Sequence, residues 1–140
     1  MSPRTAGAAA AVEAAGQPSM TVSFPAIAAS VRNVRHALVT FAQAAGATTE
    51  KIEAIRVVAS EAATNVVAHA YNGVPGRIYV VASADSDSIS IVIADRGCGI
   101  VAGEGDLGTG LAVMTEFSDS MTITSPPAGG LDVELRFSLN

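Results

Sequence analysis

The chain has 140 residues, 49% of them hydrophobic, which suits one domain with a real core. Its formal net charge is -5, its 8 Lys and Arg form no run and it has no Trp, a balance that disfavours nucleic acid, whose binding rests on neutralised phosphates and stacked bases. No apolar run reaches the roughly 18 residues that a membrane span needs.

In chain order, residues 1–18 read as a flexible tail and 19–140 as the domain. Ala8 to Ala15 is alanine-rich but interrupted by Glu13, so a signal peptide is the lesser alternative. Met20 to Phe24 alternates apolar and polar as a short strand, and Pro25 ends it. Val31, Val34, Leu38, Phe41 and Ala45 then follow helical spacing, with Gly46 as a C-terminal cap. Thr48 or Thr49 can cap a second helix. Its stripe of Ile52, Ile55, Ala59, Ala62, Val66 and Ala70 spans a sector of about 80° at 100° per residue, and Asn72-Gly73 breaks it. Ile78 to Ser83 and Ile89 to Ala94 flank Asp85-Ser86-Asp87 as a hairpin. A glycine-rich loop runs from Asp95 to Gly110, and Leu111 to Phe117 reads as a helix. Met121 to Ser125 reads as a strand, and residues 126–130 as a turn. A final strand alternates Leu131, Val133, Leu135, Phe137 and Leu139 with polar residues. This order predicts an α/β two-layer sandwich: a mostly antiparallel sheet with helices on one face. The single cysteine, Cys98, cannot form an internal disulfide and fits a reducing cytoplasm.

Three pieces carry chemistry. Glu61 and Asn65 lie four apart on the second helix with His69 one turn on, so they share a polar face beside the apolar stripe. Asp95-Arg96-Gly97-Cys98-Gly99-Ile100 follows an apolar strand. Gly108-Thr109-Gly110-Leu111 opens a helix. A carboxylate at a strand end can accept a hydrogen bond from an adenine amino group, and glycines beside it admit the base and sugar closely. Glycines at a helix start expose N–H groups to phosphate. An asparagine oxygen is a hard ligand suited to Mg²⁺. A glutamate one turn earlier can act as a base toward a hydroxyl in line with the γ-phosphate. Taken singly, each piece is often an ordinary helix face or turn. Together, once each and in this order, they read as a nucleotide site.

On these residues the sequence resembles the GHKL (Bergerat-fold) ATPases, and within them the anti-sigma factor serine/threonine kinases of the RsbW and SpoIIAB type. Glu61-Ala-Ala-Thr-Asn65-Val-Val-Ala-His69-Ala-Tyr71 resembles the N-box, Asp95 to Ile100 the G1 box, and Gly108 to Leu111 the G2 box. The resemblance runs from about Thr21 to Leu139. It implies a Bergerat ATP-binding fold, with Mg-ATP held by Asn65 on the metal and by Asp95, Gly97, Gly99 and Ile100 at the base. Gly108, Thr109, Gly110 and Leu111 would lie against the phosphates. It implies Glu61 as general base toward a serine of an anti-anti-sigma (STAS) protein, a sigma factor as the second partner, and a homodimer.

The sequence departs from that family in two places. Only Val101 to Leu107 separates the two glycine boxes. Where the family has a longer lid with basic residues, this stretch carries Glu104 and Asp106, which would repel a triphosphate. Leu131 stands where the family places a Thr, so its hydroxyl is missing from the base contact. A kinase that sequesters a sigma factor is therefore one reading. A protein-binding switch without kinase activity, with or without nucleotide, is the other. A detached histidine-kinase catalytic domain fits less well, because no dimerisation helix carries a phosphoacceptor histidine. His69 is as compatible with helix packing as with the site, and Cys98 reads as a small filler more than a redox sensor.

Overall fold

Prolines, caps and glycines divide the chain where its periodicity changes. In the computed structural model, which describes residues 10–12, 17–97 and 108–139, the elements are β1 (Ala10–Val12), β2 (Pro18–Pro25), α1 (Ala28–Ala44), α2 (Thr49–Asn65), β3 (Arg77–Ala84), β4 (Ser88–Asp95), α3 (Gly108–Phe117), β5 (Ser120–Thr124) and β6 (Leu131–Ser138). The six strands form one sheet in the order β1-β2-β3-β4-β6-β5, and every described pairing is antiparallel. The expected two-layer α/β sandwich is what forms.

Helix α1 ends as its glycine requires. Gly46 has φ +87°, its N–H bonds the Gln43 carbonyl, and the Ala47 N–H reaches back to Ala42, so the last carbonyls are satisfied by a left-handed cap. Thr48 accepts from the Lys51 N–H at 3.2 Å and starts α2. Ile55, Ala59, Ala62, Val66 and Ala70 of the apolar stripe are buried, and Ile52 is partly so. Val58 and Ala63, outside the stripe, are buried too, because α2 packs between α1 and α3 as well as over the sheet. Residues Val66–Ala70 continue α2 as one wider π turn, and Asn72 (φ 50°) and Gly73 (φ 83°) then reverse the chain.

The strands bury alternate side chains under the helices: Ile78 and Val80 of β3, Ile89, Ile91 and Ile93 of β4, Val133, Leu135 and Phe137 of β6. The other face is wet. Val81 stays 42% exposed there, with Tyr79 on the same strand, Ser90 on β4 and Glu134 and Arg136 on β6. The Asp85 carboxylate accepts from the Asp87 and Ser88 N–H groups at 2.7 and 2.9 Å and closes the β3–β4 turn. Asp119 accepts from Lys51 at 2.9 Å and from the Ser138 N–H, tying the start of α2 to the end of β6.

Two differences from the sequence reading concern the ends of elements. Three residues assigned to the tail, Ala10–Val12, pair with β2, and β2 itself begins at Pro18. Backbone pairing along a strand edge needs no side-chain pattern, so composition does not reveal it. Helix α3 begins at Gly108, three residues before the expected start at Leu111. The glycines thus form its first turn, where N–H groups have no intrahelical acceptor to lose.

Candidate functional site

Three elements converge over the ends of β4 and β6. From α2, Ala62, Asn65, Val66 and Ala70 line a pocket. From α3 come Leu111 and Met114, and from the sheet Ile93, Asp95, Leu131 and Val133. The lining is apolar apart from Asn65 and Asp95, the chemistry that a heteroaromatic ring with one polar edge would need, and the cavity it encloses measures about 20 Å³, room for about one water.

Glu61 and Asn65 face Gly110. A methyl group in place of the Gly110 hydrogen would stand 3.0 Å from Asn65 Nδ2, 3.3 Å from Glu61 Oε1 and 3.4 Å from Asn65 Oδ1. The glycine brings the first turn of α3 onto the polar pair of α2, and no larger residue fits without displacing them. Among the described residues, no side-chain hydrogen bond or ion pair engages the Glu61 carboxylate or the Asn65 amide. His69 does not line the pocket, since the π turn after Asn65 breaks the four-residue repeat of the polar face.

Asp95 is 6% exposed at the end of β4. Its Oδ1 accepts from the Gly97 N–H at 2.9 Å. Burial pushes its carboxyl above the ordinary value of 3.8, the Gly97 and Leu131 N–H groups hold it back, the Asp132 carboxylate adds to the rise, and Arg96 opposes it. Gly97 lies so close to the end of α2 that a β-carbon would run into the Ala70 carbonyl. Gly130 (φ 96°) lies equally close to the Asp95 backbone, which explains the paired glycines before β6. Arg96 turns to the wet face, 4.9 Å over the Tyr79 ring and 4.0 Å from Asp132 Oδ1, a buried oxygen without a hydrogen-bond partner among the described residues.

The structure therefore brings Glu61, Asn65, Asp95, Gly97, Gly110 and Leu111 to one place. Gly108 and Thr109 belong to the first turn of α3. Gly99 and Ile100, with Cys98 and the stretch 101–107, lie outside the described residues. Sequence reasoning missed Ile93, Met114 and Val133, which look like ordinary core positions, and gave Tyr71 no role. Only the pairing of strands and helices shows that these residues share the pocket.

The donor set suits Mg-ATP. Asn65 offers an amide, and Asp95, the one buried carboxylate among the described residues, shares its apolar pocket. Among the described residues no group of three or more His, Cys, Asp or Glu could hold a metal ion. A Mg²⁺ here would rest on Asn65, on phosphates and on water, as this weakly dehydrated ion usually does. Among the described residues no helix is long and apolar enough to cross a membrane.

Residues 24–137 match the model of the histidine kinase-like ATPase domain. The chain is 30% identical to the anti-sigma F factor of Halalkalibacterium halodurans, over 84% of this chain and 90% of that one. It is 27% identical to the anti-sigma F factor of Oceanobacillus iheyensis, over 86% and 92% of the two chains. It is also 27% identical to that of Clostridium beijerinckii, over 86% and 94%.

Proposed function

Because this chain belongs to the histidine kinase-like ATPases, in their anti-sigma factor branch, we propose that it binds Mg-ATP, sequesters a sigma factor and phosphorylates a serine or threonine of an anti-anti-sigma (STAS) protein. The single observation that carries this reading is the contact of Gly110 with both Glu61 and Asn65 at the mouth of the Asp95 pocket. It supports the reading because Glu61 would serve as base and Asn65 as metal ligand beside a helix N-terminus, with Asp95 in the same pocket to recognise the adenine.

The residues divide the work by chemistry. Asp95 accepts the adenine amino group, and the apolar walls Ile93, Val133, Leu131 and Met114 exclude water from the ring faces. Asn65 offers its amide oxygen to Mg²⁺, which when bound neutralises phosphate charge. The first-turn N–H groups of α3 favour the phosphates through the helix dipole. Glu61 takes the proton of the acceptor hydroxyl as that oxygen attacks the γ-phosphorus and the bond from phosphorus to the β,γ-bridging oxygen breaks, releasing ADP, a contribution of about 10²–10⁴ in rate. A homodimer in the cytoplasm, with residues 19–140 as the functional unit, completes the reading.

The second reading, a switch that docks partners without phosphorylating them, is favoured by one feature, the seven-residue acidic segment from Val101 to Leu107. Phosphoryl transfer depends on neutralised charge, and this segment adds charge of the wrong sign. Labelled ATP offered with a STAS-domain protein encoded beside this chain separates the two. Transfer of label that disappears in Glu61→Ala supports the kinase. ATP binding without any transfer leaves the switch.

A further inference from the structure

The β3–β4 ladder stops one step short of where its register would carry it. The Asp85 N–H bonds the Ser88 carbonyl, and Ser83 with Ser90, Val81 with Val92 and Tyr79 with Ala94 follow at two-residue intervals. The next pair in that register is Arg77 with Arg96, and its direct bond would run from the Arg96 N–H to the Arg77 carbonyl. The Tyr71 hydroxyl occupies that place instead. It donates to the Arg77 carbonyl at 2.7 Å and accepts from the Arg96 N–H at 2.9 Å. One oxygen inserted between donor and acceptor widens the gap between the strands where β4 leaves the sheet.

From this insertion we infer that Tyr71 is a positioning residue for base recognition, setting the bend that aims the Asp95 carboxylate into the pocket. The inference rests on the nucleotide-binding reading above. The parts fit together as one latch. The π turn Val66–Ala70 ends α2 beside β4, with Ala70 directly against Gly97. Tyr71 follows at once, and its ring is so close to Gly76 that a β-carbon there would overlap it. On the Asp95–Gly97 segment, the Arg96 N–H is held by Tyr71 and the Gly97 N–H by Asp95 itself. The hydroxyl touches neither the metal ligand nor the base, so its effect on nucleotide passes through Asp95. In Tyr71→Phe the ring still packs, but the strands can close on the direct bond, drawing Arg96 toward β3 and turning Asp95 away from the slot.

Calorimetric titration of the full chain with Mg-ATP and with purine riboside triphosphate, which lacks the 6-amino group, tests this. Wild type prefers ATP, and Tyr71→Phe binds ATP about tenfold more weakly while its affinity for the amino-less nucleotide changes less than about twofold. In an Asp95→Asn background, Tyr71→Phe adds less than about twofold, because the two act as one unit. Gly76→Ala, which displaces the ring and keeps the hydroxyl, reproduces the loss and serves if Tyr71→Phe does not fold. The inference is overturned if wild type discriminates and the variants discriminate equally well, or if both nucleotides weaken together. If wild type binds neither nucleotide, the nucleotide reading falls first and takes this inference with it.

Discussion

At the base end of the pocket, Asp95 is set by its pairing with Leu131 of β6, by its bond to Gly97 and by the Gly130 backbone pressed against it. At the phosphate end, Glu61 and Asn65 stand on one helix and face the first turn of another across Gly110. The first arrangement is a corner of the sheet and has few ways to move. The second depends on how α3 and the segment before it sit. On the proposed reading, recognition of the base would rest on the sheet, whereas transfer would depend on a short acidic connection that the sequence makes unlike a kinase lid.

Substitutions can separate the two ends. The largest effect is expected at the phosphate end: Glu61→Gln lowers phosphoryl transfer about 10²–10⁴-fold and leaves Mg-ATP affinity within about twofold, read by label transfer alongside calorimetry. A comparable loss of affinity would mean that the two ends are not separable. At the base end, Gly97→Ala forces a methyl into the Ala70 carbonyl and is expected to cost about 1–3 kcal/mol in denaturant unfolding, with nucleotide affinity lost as well.

The pH dependence is smaller and has opposite signs at two carboxylates. Burial raises Asp95 above 3.8, so the folded chain keeps that proton longer than the unfolded chain does. Its contribution to stability is present below 3.8 and is lost as pH rises through the raised value. Nucleotide binding runs the other way, since the ionised carboxylate is the better acceptor. ATP affinity therefore weakens as pH falls through that same raised value, and titrations at descending pH would show it. Asp119 is lowered, first by the Ser138 N–H and then by Lys51. Its contribution is present above 3.8 and is lost as pH falls through the lower folded value. The smallest expected effect lies away from both ends. Gly46→Ala places a β-carbon at φ +87° and costs about 1 kcal/mol, or about 3 °C in Tm by calorimetry.

Much of this was legible in the sequence because burial here is periodic. Ile89, Ile91 and Ile93 alternate and are buried, the α2 stripe is buried, and Gly46 and Thr48 cap as their chemistry predicts. Glu61, Asn65 and Asp95 stood out in the sequence by their place in ordered motifs, and the structure sets Glu61 and Asn65 beside Gly110 and Asp95 at the end of β4. What was not legible depends on relations between elements. Strand β1 uses only backbone, the π turn removes His69 from a stripe that a uniform helix would continue, and the place of Tyr71 appears only once β3 and β4 are in register. Leu131 was readable as a lost hydroxyl, and the structure adds that it lines the slot beside Asp95.

The most direct test of the central claim is calorimetric titration of Mg-ATP into wild type and Asp95→Asn, repeated with Mg-GTP. The account predicts saturable Mg-dependent ATP binding, GTP weaker by about tenfold or more, and loss of that preference in Asp95→Asn. Absence of ATP binding to wild type, or equal affinity for the two nucleotides that Asp95→Asn leaves unchanged, would contradict it.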